Sequence, residues 1–532
     1  MHEEPRLDRL AIAAIATVII GVSLIYLFQA EQTYVHIDAI AHVNKARGLW
    51  DTTHPGFKQL GSIWLPLPHV VFAPLTLSDW LWSTGLAGSL VSAVCFVGCA
   101  VFLYSAAFMW TTSRGAGWLA FLFFALNPRM VYLFTTPMTE PLMAFCAAGL
   151  LYFLIHWIRS ESWTSFWMAS LFVFAGTLTR YEGWAIAAIA VPLACVTARS
   201  RRFLVTTLFA GAAALGPVLW LIQNKVYYGN PFNFEVGPGS AYDYVRDYFL
   251  RTGLKSPTEG SVARSLSTYW TDVAYCFHSG VVWLAVGGGL MVWLIWRGGR
   301  WRTSAVVLAM AIAPFLFYTY SLYTNNVVIT MPGLIENDPT SIYNVRYGAV
   351  MAATIPVLAG FAGATIFQLA ERRRAVALGL ILVSFLPSPI PEESEESPAA
   401  QLTTNLFYAE SVRNQGFWMP PFVDVALKLH EDMTSLHDDS SQVLTNSRSV
   451  HPLVWAASIH MKRFVDDSDD ERWAKNLVTI DPSIRWVVTE EGDQLWQTQG
   501  PTLEANWTSV AAAKLASNPV VHLYRRREPE HP

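Results

Sequence analysis

Charge is what this 532-residue chain has least of: Asp, Glu, Lys and Arg make up 14% of it, against 53% hydrophobic residues. Long uncharged runs exclude an ordinary soluble domain and point to an integral membrane protein. A net charge of −4 gives no reason to expect nucleic acid as a partner. The five cysteines lie in or at the edge of apolar runs, which excludes a disulfide framework and reads as buried small hydrophobes. No internal repeat is visible, which counts against a secondary transporter. No small-x-small cleavage site follows the first apolar run, so that run is expected to be a retained helix.

What is present is a series of apolar stretches of roughly 20 residues, the length that crosses a bilayer. They fall near 10–30, 84–109, 117–134, 138–158, 163–179, 184–198, 203–223, 279–296, 303–323, 346–368 and 374–388, about 11 spans. The stretch 64–82 is apolar but Pro-rich and carries Asp79, so it reads as a juxtamembrane or re-entrant piece. Basic residues gather at Arg114, Arg159, Arg199 to Arg202, Arg297 to Arg302 and Arg372 to Arg374. Cytoplasmic loops carry such an excess, and eleven spans with a cytoplasmic N-terminus put all five groups on that side. The non-cytoplasmic loops are then 31–83, 135–137, 180–183, 224–278 and 324–345, plus the tail. The expected localisation is a multi-pass plasma (inner) membrane.

This gives a domain plan of a membrane-embedded part at 1–388, an acidic Pro-rich linker at 389–400 and an extracytoplasmic domain at 401–532. Within the last, helical patterns at 422–436, 449–459 and 469–480 alternate with strand-like runs at 442–446, 485–489 and 520–524. That alternation predicts a small α/β domain. It has no Gly-rich phosphate loop and no Cys/His ligand spacing.

Scarce charges are conspicuous, and ionisable groups near hydrocarbon are functional suspects. Asp38 follows the first span. With His42 and Lys45 it shares one face of a helix, while Ile37, Ile40, Ala41 and Asn44 fall largely on the other. Two readings stand: an acid facing a cleft, or a solvated interfacial helix in which Asp38 pairs with Lys45 or Arg47. Thr139 is placed to cap a helix with Glu140 in its first turn, where the dipole favours an anion. Glu140 either serves that role or points into the same cavity as Asp38. Arg180 and Glu182 either pair with each other or offer a guanidinium fork to a phosphate. Arg346, heading a late span, is either an interfacial anchor or a second such fork, and Arg129 a structural pair or a lipid-phosphate contact. His36, His42, His54 and His69 share the first loop. Their spacing matches no specific metal site, so the metal ligands are unknown and a divalent cation stays open.

An acid just after the first span, a Trp/Pro-rich juxtamembrane segment at 61–69, the turn Pro137 to Glu140 and the turn Arg180 to Gly183 occur together here. With a polar domain outside, this conjunction resembles the GT-C superfamily of membrane glycosyltransferases. The protein O-mannosyltransferase and lipid A aminoarabinose transferase branch is the most similar in look, chiefly over the first 200 residues or so. The resemblance implies a mainly α, polytopic fold and an inverting transfer of a sugar from a polyprenyl-phosphate donor to an acceptor hydroxyl. It implies that Asp38 is the catalytic base, joined by Glu140. Arg180, Arg346 and Arg246 would stabilise the donor phosphate, and His36, His42, Glu182 and His69 would line the pocket. Some relatives carry two neighbouring acids where this chain has His36-Ile37-Asp38, which weakens the case for a metal. The acceptor (protein, lipid or glycan) is unassigned. The other readings are a transporter or lipid flippase and a non-catalytic envelope scaffold.

Overall fold

The computed structural model describes residues 5–385 apart from 331–342, 371–372 and scattered positions between 238 and 255. It also describes residues 420–527 apart from 439, 468 and 515–518. The linker expected at 389–400 lies outside the described residues. The chain divides into two compact units, one of Met1–Thr33, Ser62–Pro68 and Ser89–Glu410, the other of Tyr34–Gly61, His69–Gly88 and Ser411–Pro532. Most of the first loop, expected with the membrane-embedded part, thus clusters with the tail.

The first unit is helical. Among the described residues, six helices are long and apolar enough to cross a membrane: Arg6–Gln29, Leu86–Thr111, Glu140–Ser160, Arg202–Tyr228, Ser279–Arg297 and Trp301–Tyr323. A seventh span results if Tyr347–Ala353 and Ile355–Leu369, bent by 52°, count as one. The chain is a polytopic membrane protein. Other expected spans form shorter helices because apolar windows in the sequence run on into the flanking turns. The stretch 117–134 breaks at Asn127 and Pro128 into Arg114–Ala125 and Pro128–Leu133, since the carboxamide of Asn127 starts a new helix by accepting from two backbone N–H groups. The stretches 163–179 and 184–198 become Trp163–Thr177 and Glu182–Thr197, of 15 and 16 residues, and Arg374–Val383 has 10.

Ile355–Leu369 packs against both Arg114–Ala125 and Ser279–Arg297. The first helix is pinned by a buried acid, Asp8. Arg114 grips it with both fork nitrogens at 2.6 and 2.8 Å, and the Tyr104 hydroxyl donates at 2.6 Å. Such a bidentate pair fixes orientation as well as distance.

The second unit holds a five-stranded sheet: β1 (Gln442–Leu444), β2 (Phe464–Val465), β3 (Ile484–Glu490), β4 (Trp507–Ala513) and β5 (Val521–Arg526). The order is β2-β1-β3-β5-β4, with β1 parallel to β2 and β3, and β5 antiparallel to β3 and β4. Helices Pro420–Ser435, Ser447–Ala457, Asp470–Val478 and Gln494–Asn506 complete this α/β domain. Its core joins Leu444, Val487, Leu495, Leu503 and Tyr524. The helix Ile37–Gly48 belongs to this unit and is buried nearly all round, which rules out the solvated interfacial helix. Asn44 explains its tie to the tail: its carboxamide donates to the His451 carbonyl (3.3 Å) and accepts from the Trp82 indole (2.8 Å).

Candidate functional site

In the first unit, three turns bring charged side chains to one place. The turn before Glu140–Ser160 is set by Thr135 and Thr136, whose hydroxyls donate back to Tyr132 and Leu133, each at 2.7 Å. Thr139 stands at the N-cap as expected, but its hydroxyl does not cap the helix; it accepts from Nη1 of Arg180 at 2.9 Å. The turn 178–181 leads into Glu182–Thr197. Gly183 is required there because a Cβ would run into the backbone of Gly176, so the two helices approach more closely than any side chain allows. The same turn holds the juxtamembrane segment 62–68: Leu67 N donates to Leu178 O (2.9 Å) and the Tyr181 hydroxyl donates to Ile63 O (2.6 Å). The third segment is Asn344 to Tyr347, held by the Asn344 carboxamide donating to Val328 O at 2.8 Å.

These turns assemble a four-membered ion cluster. Arg180 donates from Nε to Glu182 Oε1 at 2.5 Å and from Nη1 to Glu140 Oε1 at 3.0 Å. Arg346 donates from Nε to the same Glu140 oxygen at 2.9 Å. Both arginines face the ring of Tyr347, at 4.9 and 5.5 Å, and Nη2 of Arg180 reaches the Tyr318 hydroxyl at 3.4 Å. Glu140, Glu182 and Arg346 are buried. Two positive and two negative charges cancel, which is what allows them to be buried at all. Arg346 is therefore not an interfacial anchor, and Glu140 is not a helix cap alone. Arg246 is outside this group and exposed.

The second unit carries Asp38 and the loop histidines. His36 caps helix Ile37–Gly48, its Nδ1 accepting from Asp38 N at 3.0 Å, and the Asp38 carboxylate lies 3.8 Å from the same nitrogen. The Asp38 side chain keeps 30% of its surface exposed. His42 and His69 are buried and hydrogen-bonded to each other, Nδ1 to Nε2, at 3.0 Å. His54 instead meets Asp469 at 3.1 Å. Arg47 spends its guanidinium on Asp51 (2.8 Å) and Asp79 (2.7 Å), which removes it from the partners expected for Asp38. Burial, against the opposing pull of Asp466, lowers the Lys45 ammonium to about 8. Burial, reinforced by Lys45, lowers both His69 and His451 to about 3. Among the described residues no group of three or more His, Cys, Asp and Glu is placed to hold a metal ion.

The structure therefore brings Glu140, Glu182, Arg180 and Arg346 together, and separately brings His36 to Asp38 and His42 to His69. Asp38 and Glu140 belong to different units. Sequence reasoning missed Tyr318 and Tyr347 in the ion cluster, and His451 and Asp466 around Lys45. Tyr347 adjoins Arg346 and was findable; Tyr318 lies inside a span and His451 some 400 residues from Lys45, with no local signal.

The class of architecture is that of a polytopic, mainly helical membrane protein carrying a small α/β domain. Among solved structures the chain is similar in fold to the crystal structure of ArnT from Cupriavidus metallidurans bound to undecaprenyl phosphate. That likeness spans 98% of both chains at 14% identity and a TM-score of 0.53. The apo state of the same protein aligns with 96% of this chain and 98% of its own, at 14% identity and a TM-score of 0.49. No protein-family model matches the chain, and no curated protein matches it.

Proposed function

We propose that this protein is an inverting glycosyltransferase that moves a sugar from a polyprenyl-phosphate donor to an acceptor hydroxyl on the non-cytoplasmic face of the membrane. The observation that carries the reading is the likeness of fold, along nearly the whole chain, to a protein whose structure holds undecaprenyl phosphate. A lipid-borne donor also suits a chain whose polar groups are few and clustered.

In the proposed reaction the acceptor oxygen forms a bond to the anomeric carbon as the bond from that carbon to the phosphate oxygen breaks. The acceptor proton passes to the Asp38 carboxylate, and the electron pair leaves with the lipid phosphate. Attack opposite the leaving group inverts the anomeric centre. Asp38 suits a base because it is partly exposed and held at its N–H by His36, so its carboxylate can receive a proton. Arg180, Arg346 and Arg246 are the proposed stabilisers of the departing phosphate. The first two are already bonded to carboxylates, so their further N–H groups, rather than their full charge, are what they offer.

Glu140 is assigned as the residue that positions Arg180 and Arg346. Two guanidiniums on one of its oxygens leave little negative charge to attract a cation, so we assign no divalent ion to it. Dialysis against EDTA is expected to leave transfer unchanged; loss of activity restored by Mg²⁺ or Mn²⁺ would overturn that assignment. The termini are assigned as cytoplasmic for the N-terminus and extracytoplasmic for the α/β domain.

The deciding measurement is transfer from a lipid-linked sugar by purified protein. Asp38→Asn is expected to slow transfer by about 10²- to 10⁴-fold with unchanged thermal stability. Full activity in that variant would remove Asp38 as the base. Movement of a lipid across proteoliposomes without consumption of the linked sugar would favour a flippase instead.

A further inference from the structure

Among the described residues, the buried arginines other than Arg129 meet carboxylates. Arg47 has Asp51, and Arg346 has Glu140. Arg129 is the exception. It is 3% exposed, no ion pair holds it among the described residues, and its Nη1 has no hydrogen-bond partner there. The groups acting on its charge are Cys276 and Tyr275, neither of them an anion at neutral pH. Leaving a guanidinium buried in this way is costly unless an anion joins it.

The surroundings of Arg129 are built to receive one. Asn127 fixes its backbone, accepting from Arg129 N at 3.0 Å, and donates across to Cys276 O at 2.8 Å in the last turn of helix Val262–Phe277. One residue further on stands His278, the sole link between that helix and Ser279–Arg297. It adopts φ 62°, unusual for a residue with a side chain. His278 is 4% exposed and its Nδ1 likewise lacks a partner among the described residues. It occupies the N-cap of a 19-residue helix without capping it by its side chain. The positive end of that helix dipole, an imidazole and a guanidinium therefore meet at one place, with Tyr275 beside them. Leu126 and Pro128, the neighbours of Asn127, are exposed, so apolar surface borders the site.

We propose that Arg129, His278 and the first turn of helix Ser279–Arg297 bind the phosphate of a membrane lipid, whose chain lies against Leu126 and Pro128. Neither Arg129 nor His278 belongs to the Glu140–Arg180–Arg346 cluster, and the site does not depend on the transferase reading.

The full-length protein in detergent micelles is titrated with farnesyl phosphate, farnesol and inorganic phosphate, with binding read by native mass spectrometry. Farnesyl phosphate is expected to bind at least tenfold more tightly than either of the others. Arg129→Gln is expected to remove one bound farnesyl phosphate per protein, leaving any held at the proposed donor site, without changing the weak farnesol signal. Equal binding of farnesyl phosphate and inorganic phosphate would identify a free-anion site and overturn the lipid assignment. An unchanged number of bound farnesyl phosphates in a stably folded Arg129→Gln protein would overturn the site itself. Should that variant fail to fold, His278→Phe replaces it with the same expectation. Loss of sugar transfer in Asp38→Asn with farnesyl phosphate binding intact separates this site from the proposed base.

Discussion

One buried cluster in each unit handles its ionisable groups in the opposite way to the other. In the first, Glu140, Glu182, Arg180 and Arg346 are opposite charges joined by bonds of 2.5 to 3.0 Å. In the second, His42 and His69 share one hydrogen bond, and burial together with Lys45 keeps His69 neutral. A cluster of cancelled charges is sensitive to losing a member. A cluster kept neutral is sensitive to pH.

The largest test of this contrast is Glu140→Gln. It leaves Arg180 and Arg346 with one carboxylate between them, and breaking a buried pair costs about 3–5 kcal/mol. A thermal midpoint within 1 °C of the wild type would show that the cluster is not a stabilising unit. The next is acid. His69 has a folded-state value of about 3, below the ordinary 6.5, so the unfolded chain binds the proton more readily between those limits. Stability is thus complete above pH 6.5 and falls on acidification toward pH 3, by about 1.4 kcal/mol per pH unit. Tryptophan fluorescence of the α/β unit against pH reads this, and His69→Leu should flatten the acid limb; an unaltered limb would place the sensitivity elsewhere.

Gly61 gives a smaller effect. It has φ 75° and lies against the Lys45 ammonium, 2.8 Å from where a Cβ would stand. Gly61→Ala should cost roughly 1–3 kcal/mol, because φ 75° with ψ −172° is a backbone region open almost only to glycine, and a neutral result would mean the turn relaxes. The alkaline limb runs the other way. Lys45 titrates near 8 in the folded chain rather than 10.5, so the unfolded chain holds its proton longer and stability rises from pH 8 to 10.5 by up to about 1.4 kcal/mol per pH unit. Lys45→Met should abolish that rise.

Much of this was legible locally and little of it at long range. Helices expected at 422–436, 449–459 and 469–480 occur as Pro420–Ser435, Ser447–Ala457 and Asp470–Val478, because their apolar periodicity is strong. Strand β4 was missed since Trp507–Ala513 ends in three alanines, which carry no strand signal, and β2 has two residues. Glu140, Arg180, Glu182 and Arg346 stood out individually as charges in apolar sequence. The pairing of Arg180 with Glu182 was one open reading from two-residue spacing. The bond from Arg346 to Glu140 spans 206 positions, and no local pattern encodes it. The allegiance of the first loop to the tail was hidden for the same reason.

That allegiance has a consequence in time. Asn44 is made early, and the His451 carbonyl that its carboxamide binds is 407 residues later. At about 5–20 residues per second, the ribosome takes roughly 20 to 80 s to supply the partner. Throughout that interval the helix bearing Asp38 has left the ribosome while the domain that encloses it is still unmade. The last quarter of synthesis therefore sets when the loop can fold.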